Sequence, residues 1–333
     1  MAPQSERIMD EPVYTLIQQT YSPDSNLQER AARELGACNL GEQRLLAIQA
    51  LCGLLKHEEL SVREAAKDSL IQIDGASVVD ALIPYLKGQS TRALNYAVEI
   101  LSKIGLSDID RIVKLLNSRN HDLRKFGCDL LGNLQYGESV YELIDLLSDP
   151  HINVAIAAGE ALGKIGSREA VPRLIQALQY PDSWMRCIAA EALGKIGDAR
   201  AVEAFLDVPN DEETIVLYTM IKAMGNLCDV RMVSMILALL RRNAKFASSS
   251  VQALEQLLEQ CGDTVYERLQ EAEARADVIR LLSGPSDNVL LTAIPLVEKL
   301  HYAEAVPILQ ELRRHADDAI AAAAQSALQQ IEA

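Results

Sequence analysis

Apolar residues recur three or four positions apart through most of this chain, which is the spacing of one face of an α-helix. Two such faces follow each other near residues 169–179 and 184–196. Their members are Val171, Leu174, Ile175 and Leu178, then Met185, Ala189, Ala190, Leu193 and Ile196. In the turn between them, Asp182 or Ser183 is suited to cap the second helix, and Gly197 is suited to end it in a left-handed conformation. The pattern predicts a hairpin of two helices.

This hairpin pattern repeats with a nearly constant period. The segment Glu160–Gly166, EALGKIG, recurs unchanged at Glu191–Gly197, 31 residues later. Identical or degenerate copies end at residues 39, 74, 105, 135, 166, 197, 228, 261, 301 and 332, and seven of the nine steps are 30 to 33 residues long. A fixed period in this range is typical of stacked supersecondary units. The sequence therefore predicts an all-α solenoid of about ten antiparallel helical hairpins.

The domain organisation follows from the same repeat. Residues 1–10 are polar and are predicted to be a flexible N-terminus, and residues 11–333 are predicted to form a single solenoid. The unit at about 262–301 is irregular, because its step is 40 residues long. Its first helix, near Thr264–Leu282, is predicted to be extended and polar. This helix is interpreted either as an irregular packing element or as a specific contact.

Composition and charge narrow the class of partner. The formal net charge of −15 argues against nucleic acid and against an anionic membrane surface, since both require basic residues. The acidic balance favours a partner protein with a basic face. No targeting segment is recognisable, so a cytoplasmic location is predicted. The cysteines are scattered without a C-x-x-C pair, which favours reduced, buried thiols over a disulfide framework; they are Cys38, Cys52, Cys128, Cys187, Cys228 and Cys261.

The repeat resembles a known family. AAEALGKIGDARAVEAF at Ala189–Phe205 is similar to the HEAT-like repeat of phycobilisome-lyase-type proteins, and Ala157–Leu174 matches it almost as well. The resemblance implies an α-solenoid whose second helices line a concave side. It also implies an alternative function as a bilin lyase subunit or phycobilisome-associated chaperone, with a bilin such as phycocyanobilin as cofactor. Such a role needs aromatic residues and basic residues for the propionates, for which the candidates are Tyr96, Phe126, Trp184, Arg124 and Arg186.

Two surfaces on the second helices are candidates for binding a partner. Five successive repeats carry an acid at one outward position, which forms a ridge of Asp68, Glu99, Asp129, Glu160 and Glu191. The ridge is interpreted either as a track for a basic partner or as local i,i+4 pairs with lysines. The second surface is Trp184 with Tyr180 and Arg186, and Arg124 and Phe126 are further candidates for partner binding. Polar residues at the positions equivalent to Trp184 indicate that this tryptophan is exposed, and exposed tryptophans are enriched in interface hot spots. The alternative is a tryptophan folded over its own hairpin seam.

A shared arginine position is interpreted as structural. Arg63, Arg124 and Arg186 occupy it, and in the resembled family this arginine pairs with an acid in the preceding turn. Glu59 and Asp182 are the expected acids for Arg63 and Arg186, whereas Arg124 has only Asn120 at that offset.

Motifs for catalysis or metal binding are absent from the sequence. It lacks H-E-x-x-H, G-x-S-x-G and the phosphate-binding G-x-x-x-x-G-K-[ST], and the glycines of EALGKIG are interpreted as helix punctuation. We therefore predict no catalytic residue, no metal and no cofactor. The prediction is an interaction scaffold that binds a partner protein, with the bilin lyase role as the alternative and nucleic-acid binding as the least favoured.

Overall fold

The fold consists of helices joined into hairpins. The computed structural model describes residues 11–86, 91–206, 213–284 and 286–332, and these contain 21 α-helices and no strand. The first helices of the hairpins are α1 Glu11–Gln19, α3 Arg44–Leu54, α5 Ala76–Leu86, α7 Ile109–Leu115, α9 Val140–Leu146, α11 Val171–Ala177, α13 Ala201–Leu206, α15 Arg231–Arg242, α17 Asp263–Leu269 with α18 Ala272–Arg280, and α20 Val306–Leu312. The second helices are α2 Ser25–Ala37, α4 Leu60–Ile73, α6 Thr91–Ile104, α8 His121–Asn133, α10 Ile152–Ile165, α12 Ser183–Ile196, α14 Thr214–Met224, α16 Ala247–Cys261, α19 Asp287–Lys299 and α21 Asp318–Ile331. The prediction of an all-α solenoid of about ten hairpins is confirmed.

The chain divides into two compact units, residues up to Ala161 and residues from Leu162 onward. The predicted flexible N-terminus, residues 1–10, lies outside the described residues. That residues 11–333 form a single solenoid stays a prediction.

The α11–α12 hairpin shows how the sequence sets the helix ends. The Asp182 carboxylate accepts a hydrogen bond from the backbone N–H of Met185 at 3.0 Å, so Asp182 is the N-cap of α12. Gly197 ends α12 with φ of +65°, as the sequence predicts. The first helix is shorter than predicted, because residues Arg168–Ala170 form a 3₁₀ turn and α11 begins only at Val171.

Small residues allow neighbouring second helices to approach closely. A Cβ atom added to Gly194 would lie 2.8 Å from Cα of Ala223 on α14, and one added to Gly163 would lie 2.9 Å from Cα of Ala192 on α12. No side chain fits these positions without separating the helices. The interpretation of the repeat glycines as helix punctuation is therefore right for Gly197 and wrong for Gly194, which is a packing contact.

The irregular unit contains two first helices where one extended helix was predicted. The chain breaks between α17 and α18, where side chains of Tyr302 and Arg275 satisfy two carbonyl groups and the Gln270 side chain bonds to the end of α19. The Tyr302 hydroxyl donates to the Leu269 carbonyl at 2.6 Å, and Gln270 Nε2 donates to the Leu300 carbonyl at 2.8 Å. Arg275 Nη2 donates to the Gln270 carbonyl at 2.6 Å. Tertiary hydrogen bonds therefore compensate for the interrupted helix.

An aspartate–arginine pair stabilises the entry to α13. Asp198 Oδ1 accepts hydrogen bonds from the backbone N–H and from Nε of Arg200, both at 2.9 Å. Arg200 Nη2 also donates to the Arg168 carbonyl of the preceding hairpin at 2.8 Å. The hydrogen bonds from the Arg200 side chain and backbone lower the pKa of Asp198 to about 2. Asp229 and Arg231 repeat this pair one hairpin later.

Acid unfolding should reveal the Asp198 pair. Because the pKa of Asp198 is lower in the folded than in the unfolded chain, its stabilisation is complete above the ordinary value of 3.8 and is lost as the pH falls towards about 2. We expect Asp198→Asn to lower the free energy of unfolding at neutral pH by about 1–2 kcal/mol. Between pH 4 and pH 2 the difference from the wild type should shrink. Denaturant unfolding across this range measures it; parallel curves for the two proteins would contradict the prediction, and Asp318→Asn, an exposed acid, serves as the control.

Candidate protein-binding surface

The three arginines at the shared repeat position hold the turn between the two helices of a hairpin. Arg63 Nη1 donates to the carbonyl of His57 at 2.6 Å, and Arg124 Nη1 donates to the carbonyl of Ser118 at 2.9 Å. Arg186 Nη1 donates to the carbonyls of Tyr180 and Pro181 at 2.9 and 3.0 Å. The guanidinium groups therefore satisfy carbonyl groups that follow the first helix.

The acids that the sequence assigned to these arginines have other roles, or lie elsewhere. Asp182, expected to pair with Arg186, caps α12. The acid of Arg124 lies in the following hairpin turn: Asp149 accepts from Nε at 2.7 Å and from Nη2 at 2.9 Å. Both side chains of this pair are largely buried. The sequence offered Arg124 no acid in the preceding turn, and the structure places its acid in the following one.

Lysines on the same or a neighbouring helix neutralise much of the acidic ridge. Lys125 Nζ lies 2.6 Å from Asp129, and Lys195 Nζ lies 2.6 Å from Glu191. Glu99 lies 3.2 Å from Lys67, whose pKa is raised chiefly by its hydrogen bond with Glu64. Glu160 is exposed on α10. These local pairs weaken the field that the ridge could direct at a basic partner.

Exposed apolar side chains lie on two consecutive second helices of the second unit. Trp184, in the first turn of α12, is 64% exposed, and Ile215, in the first turn of α14, is 48% exposed. Tyr180 and Tyr218 are also exposed, and Lys222 Nζ lies 4.7 Å from the centre of the Tyr218 ring. We call Tyr180, Trp184, Ile215 and Tyr218 the aromatic patch. The exposure of Trp184 favours the interpretation as an exposed residue over a tryptophan folded on its own hairpin seam.

Sequence reasoning found Trp184 but missed Ile215 and Tyr218. Ile215 follows Trp184 by 31 residues, which is the step between the repeats that end at 166, 197 and 228. The register alone could therefore have identified it. Tyr218 lies one helical turn further along α14, where it shares a face with Ile215.

The remaining bilin candidates lie in the first unit and make internal contacts. The Tyr96 hydroxyl donates to Glu64 Oε1 at 2.7 Å. Phe126 is half-buried on α8, with Lys125 Nζ 5.6 Å from its ring centre. Arg124 is paired with Asp149. Propionate groups would have to compete with these contacts.

Two cysteines contradict the expectation of reduced, buried thiols. Cys228, in the turn after α14, is exposed, and Cys261 ends α16; the two form a disulfide with a Cα–Cα distance of 5.6 Å. They occupy the same position in consecutive repeats, so stacking of the hairpins brings them together. The expectation is right for Cys52 and Cys128, since burial raises the pKa of each thiol to about 12.

Clusters of metal ligands and membrane-spanning helices are absent from the described ranges. No group of three or more His, Cys, Asp and Glu side chains lies close enough there to hold a metal ion. Within the same ranges, every helix is too short or too polar to cross a membrane.

Comparisons with known proteins agree with this architecture. The sequence profile of HEAT repeats matches residues 13–108, 109–186 and 171–255. Kap95p, the yeast importin-β, has a similar fold, with a TM-score of 0.61 and 14% identity over 97% of this chain and 52% of Kap95p. The structure of Kap95p with RanGDP gives a TM-score of 0.63 at 15% identity, over 96% of this chain and 50% of that chain. The structure with Nup1 gives a TM-score of 0.62 at 14% identity, over 97% of this chain and 52% of that chain.

These comparisons define a family and a fold. The chain spans about half the length of importin-β, and at such low identity the likeness concerns the fold alone. No curated protein sequence matches the chain. Because the HEAT-repeat profile covers residues 13–255 of 333, the chain belongs to the HEAT-repeat family.

Proposed function

We propose that this protein is an interaction scaffold that binds a partner protein through the aromatic patch of α12 and α14. The observation that carries the proposal is the placement of Trp184 and Ile215 at one register of two packed helices, both with their side chains exposed. Contiguous exposed apolar side chains mark interaction sites on soluble proteins. Tryptophan and tyrosine are the residues most enriched among those that dominate binding energy.

Local contacts fix the backbone beneath the patch before any partner arrives. Asp182 caps the first turn of α12, and Arg186 fixes the carbonyls of the preceding turn. Gly194 brings α12 and α14 into close contact. A surface that is ordered in advance loses less conformational entropy on binding, so more of the contact energy contributes to affinity.

The fold is compatible with this role. Importin-β of yeast, which has a similar fold, was solved in complexes with RanGDP and with Nup1. The likeness supports protein binding by a helical repeat surface and leaves the partner of this chain to experiment. For the compartment, the cytoplasm remains our proposal from the sequence.

Binding of the native partner should depend on the aromatic patch. The partner is captured by affinity purification from the native host, identified by mass spectrometry, and its dissociation constant is then measured. We expect Trp184→Ala to raise that constant by about 30-fold, which corresponds to a hot spot of about 2 kcal/mol. Ile215→Asp should raise it further, because a charge would be placed in an apolar contact.

Matched variants separate the patch from other surfaces. Tyr141→Ala removes an equally exposed aromatic residue from the first unit and should leave the dissociation constant unchanged. Glu191→Lys tests the acidic ridge. Full binding by Trp184→Ala and Ile215→Asp, with loss of binding by Glu191→Lys, would reject the patch and place the site on the ridge.

The phycobilisome-lyase type and its bilin are the weaker proposal. Arg124, the candidate for a propionate group in the first unit, already binds Asp149, and Arg186 binds two backbone carbonyls. We therefore propose a scaffold that works without a cofactor. A phycobiliprotein among the specifically captured partners would reverse this preference and favour a role in chromophore attachment.

A further inference from the structure

A cavity lies between the irregular unit and the hairpin before it, α15–α16, and the protein-binding surface does not use it. The cavity measures about 310 Å³ and lies where the C-terminal ends of α15 and α18 meet the start of α16 and α19. Its apolar wall consists of Leu240, Ala247, Leu281 and Val289. Its polar residues include Arg241, Asp277 and Arg280. This volume is at the lower end of the range of ligand pockets, roughly 300–1,000 Å³.

Three charged side chains converge at this cavity. The Asp277 side chain is 4% exposed, and it accepts hydrogen bonds from Arg241 Nε at 2.7 Å and from Arg280 Nη1 at 3.2 Å. Arg241 Nη1 also lies 2.8 Å from the exposed Glu273. The side chain of Arg280 is 68% exposed, so its guanidinium group is accessible to a ligand.

The balance of hydrogen-bond donors and acceptors at the cavity indicates whether a bound ligand carries a negative or a positive charge. A guanidinium group has five N–H donors and no acceptor, so two of them supply about ten donors. The contacts to Asp277 and Glu273 occupy only three of these. The Asp277 carboxylate is buried beneath both arginines and presents little to a cation. The site therefore has donors in excess, and a carboxylate is the group that matches a guanidinium fork.

We propose that this cavity binds a small amphipathic carboxylate, with the head group on Arg280 and Arg241 and the apolar chain against Leu240, Leu281 and Val289. The two arginines and two acids sum to zero formal charge, so directed hydrogen bonds and apolar burial supply the affinity. Because the cavity is small for a ligand pocket, the apolar chain is a short one. This site is separate from the aromatic patch, and its test does not depend on a partner protein.

Octanoate is the probe that tests the cavity, by isothermal titration calorimetry on the full chain. Binding is expected, and Arg280→Ala should weaken it about tenfold through the loss of charge-assisted hydrogen bonds. Arg280→Lys should retain part of the affinity. Arg313→Ala, which removes an exposed arginine from α20–α21, should leave it unchanged.

Two further measurements separate the head group from the chain. Ala244→Trp places a large ring at the cavity rim without changing either arginine, and it should abolish octanoate binding. Octanol and octylamine, which keep the chain but lack the carboxylate, should bind at least tenfold more weakly than octanoate. Failure of octanoate to bind the wild type, equal binding to Arg280→Ala or Ala244→Trp, or equal binding of octylamine would each overturn the proposal.

Discussion

Replacement of Asp149 by alanine is expected to lower the free energy of unfolding by about 3 kcal/mol, because it leaves Arg124 without its buried partner. The two groups form two parallel hydrogen bonds, 2.7 and 2.9 Å long, and their side chains are 4% and 14% exposed. Burial raises the pKa of Asp149, but hydrogen bonds from Arg124 and from the backbone N–H of His151 outweigh it and hold the pKa below its ordinary value. The carboxylate is therefore ionised at neutral pH.

The effect should extend to the contact between α8 and α10. Asp149 accepts the His151 backbone N–H at 2.8 Å, and the His151 ring stacks on the His121 ring with centroids 3.8 Å apart. Loss of the carboxylate frees the turn that positions His151. Because repeat proteins are stabilised by nearest-neighbour contacts, we expect hydrogen exchange to rise first in α8 and at the start of α10.

Two sets of variants test this prediction. Asp145→Ala removes an exposed acid from α9 and should change the free energy of unfolding by less than about 0.5 kcal/mol. A double-mutant cycle with Arg124→Ala should give a coupling of about 1–3 kcal/mol between the two side chains. Equal stability of Asp149→Ala and Asp145→Ala would show that the pair contributes nothing.

The sequence predicted the fold because each hairpin repeats the same local signals. An apolar face, a capping residue such as Asp182 and a terminal glycine such as Gly197 determine one hairpin, and a step of about 31 residues carries them into the next. Each second helix accordingly ends within a few residues of its predicted position. Local signals of this kind are independent of how distant segments pack.

Features that depend on stacking were not predictable from one hairpin. Arg124 pairs with Asp149, which lies 25 residues later in the sequence, and no pattern within one hairpin indicates this pairing. The break between α17 and α18 occurs at Gln270 and Glu271, residues that favour helix, and its carbonyls are satisfied by Tyr302 and Arg275. Tertiary contacts override helix propensity there. Ile215, by contrast, was accessible from the repeat register and was missed only because it is not aromatic.

The disulfide between Cys228 and Cys261 is expected to contribute strongly to the free energy of unfolding. We expect reduction to lower the free energy of unfolding by about 3–4 kcal/mol, since the bond closes a loop of 33 residues in the unfolded chain. Denaturant unfolding of the wild type with and without dithiothreitol measures this difference. Cys228→Ser should match the reduced wild type and should not respond to the reductant. Cys38→Ser, which removes a half-buried free thiol, is the control.

The position of this disulfide determines which helices should lose stability when it is reduced. It joins the end of α16 to the turn after α14, immediately before the unit in which the first helix is split into α17 and α18. A split helix presents a less regular face to its neighbour, so a covalent link ahead of it compensates for weaker stacking. Reduction should therefore raise hydrogen exchange in α14 and α16 before it affects α2 or α4. Uniform exchange along the chain, or stability unchanged by dithiothreitol, would contradict this local role.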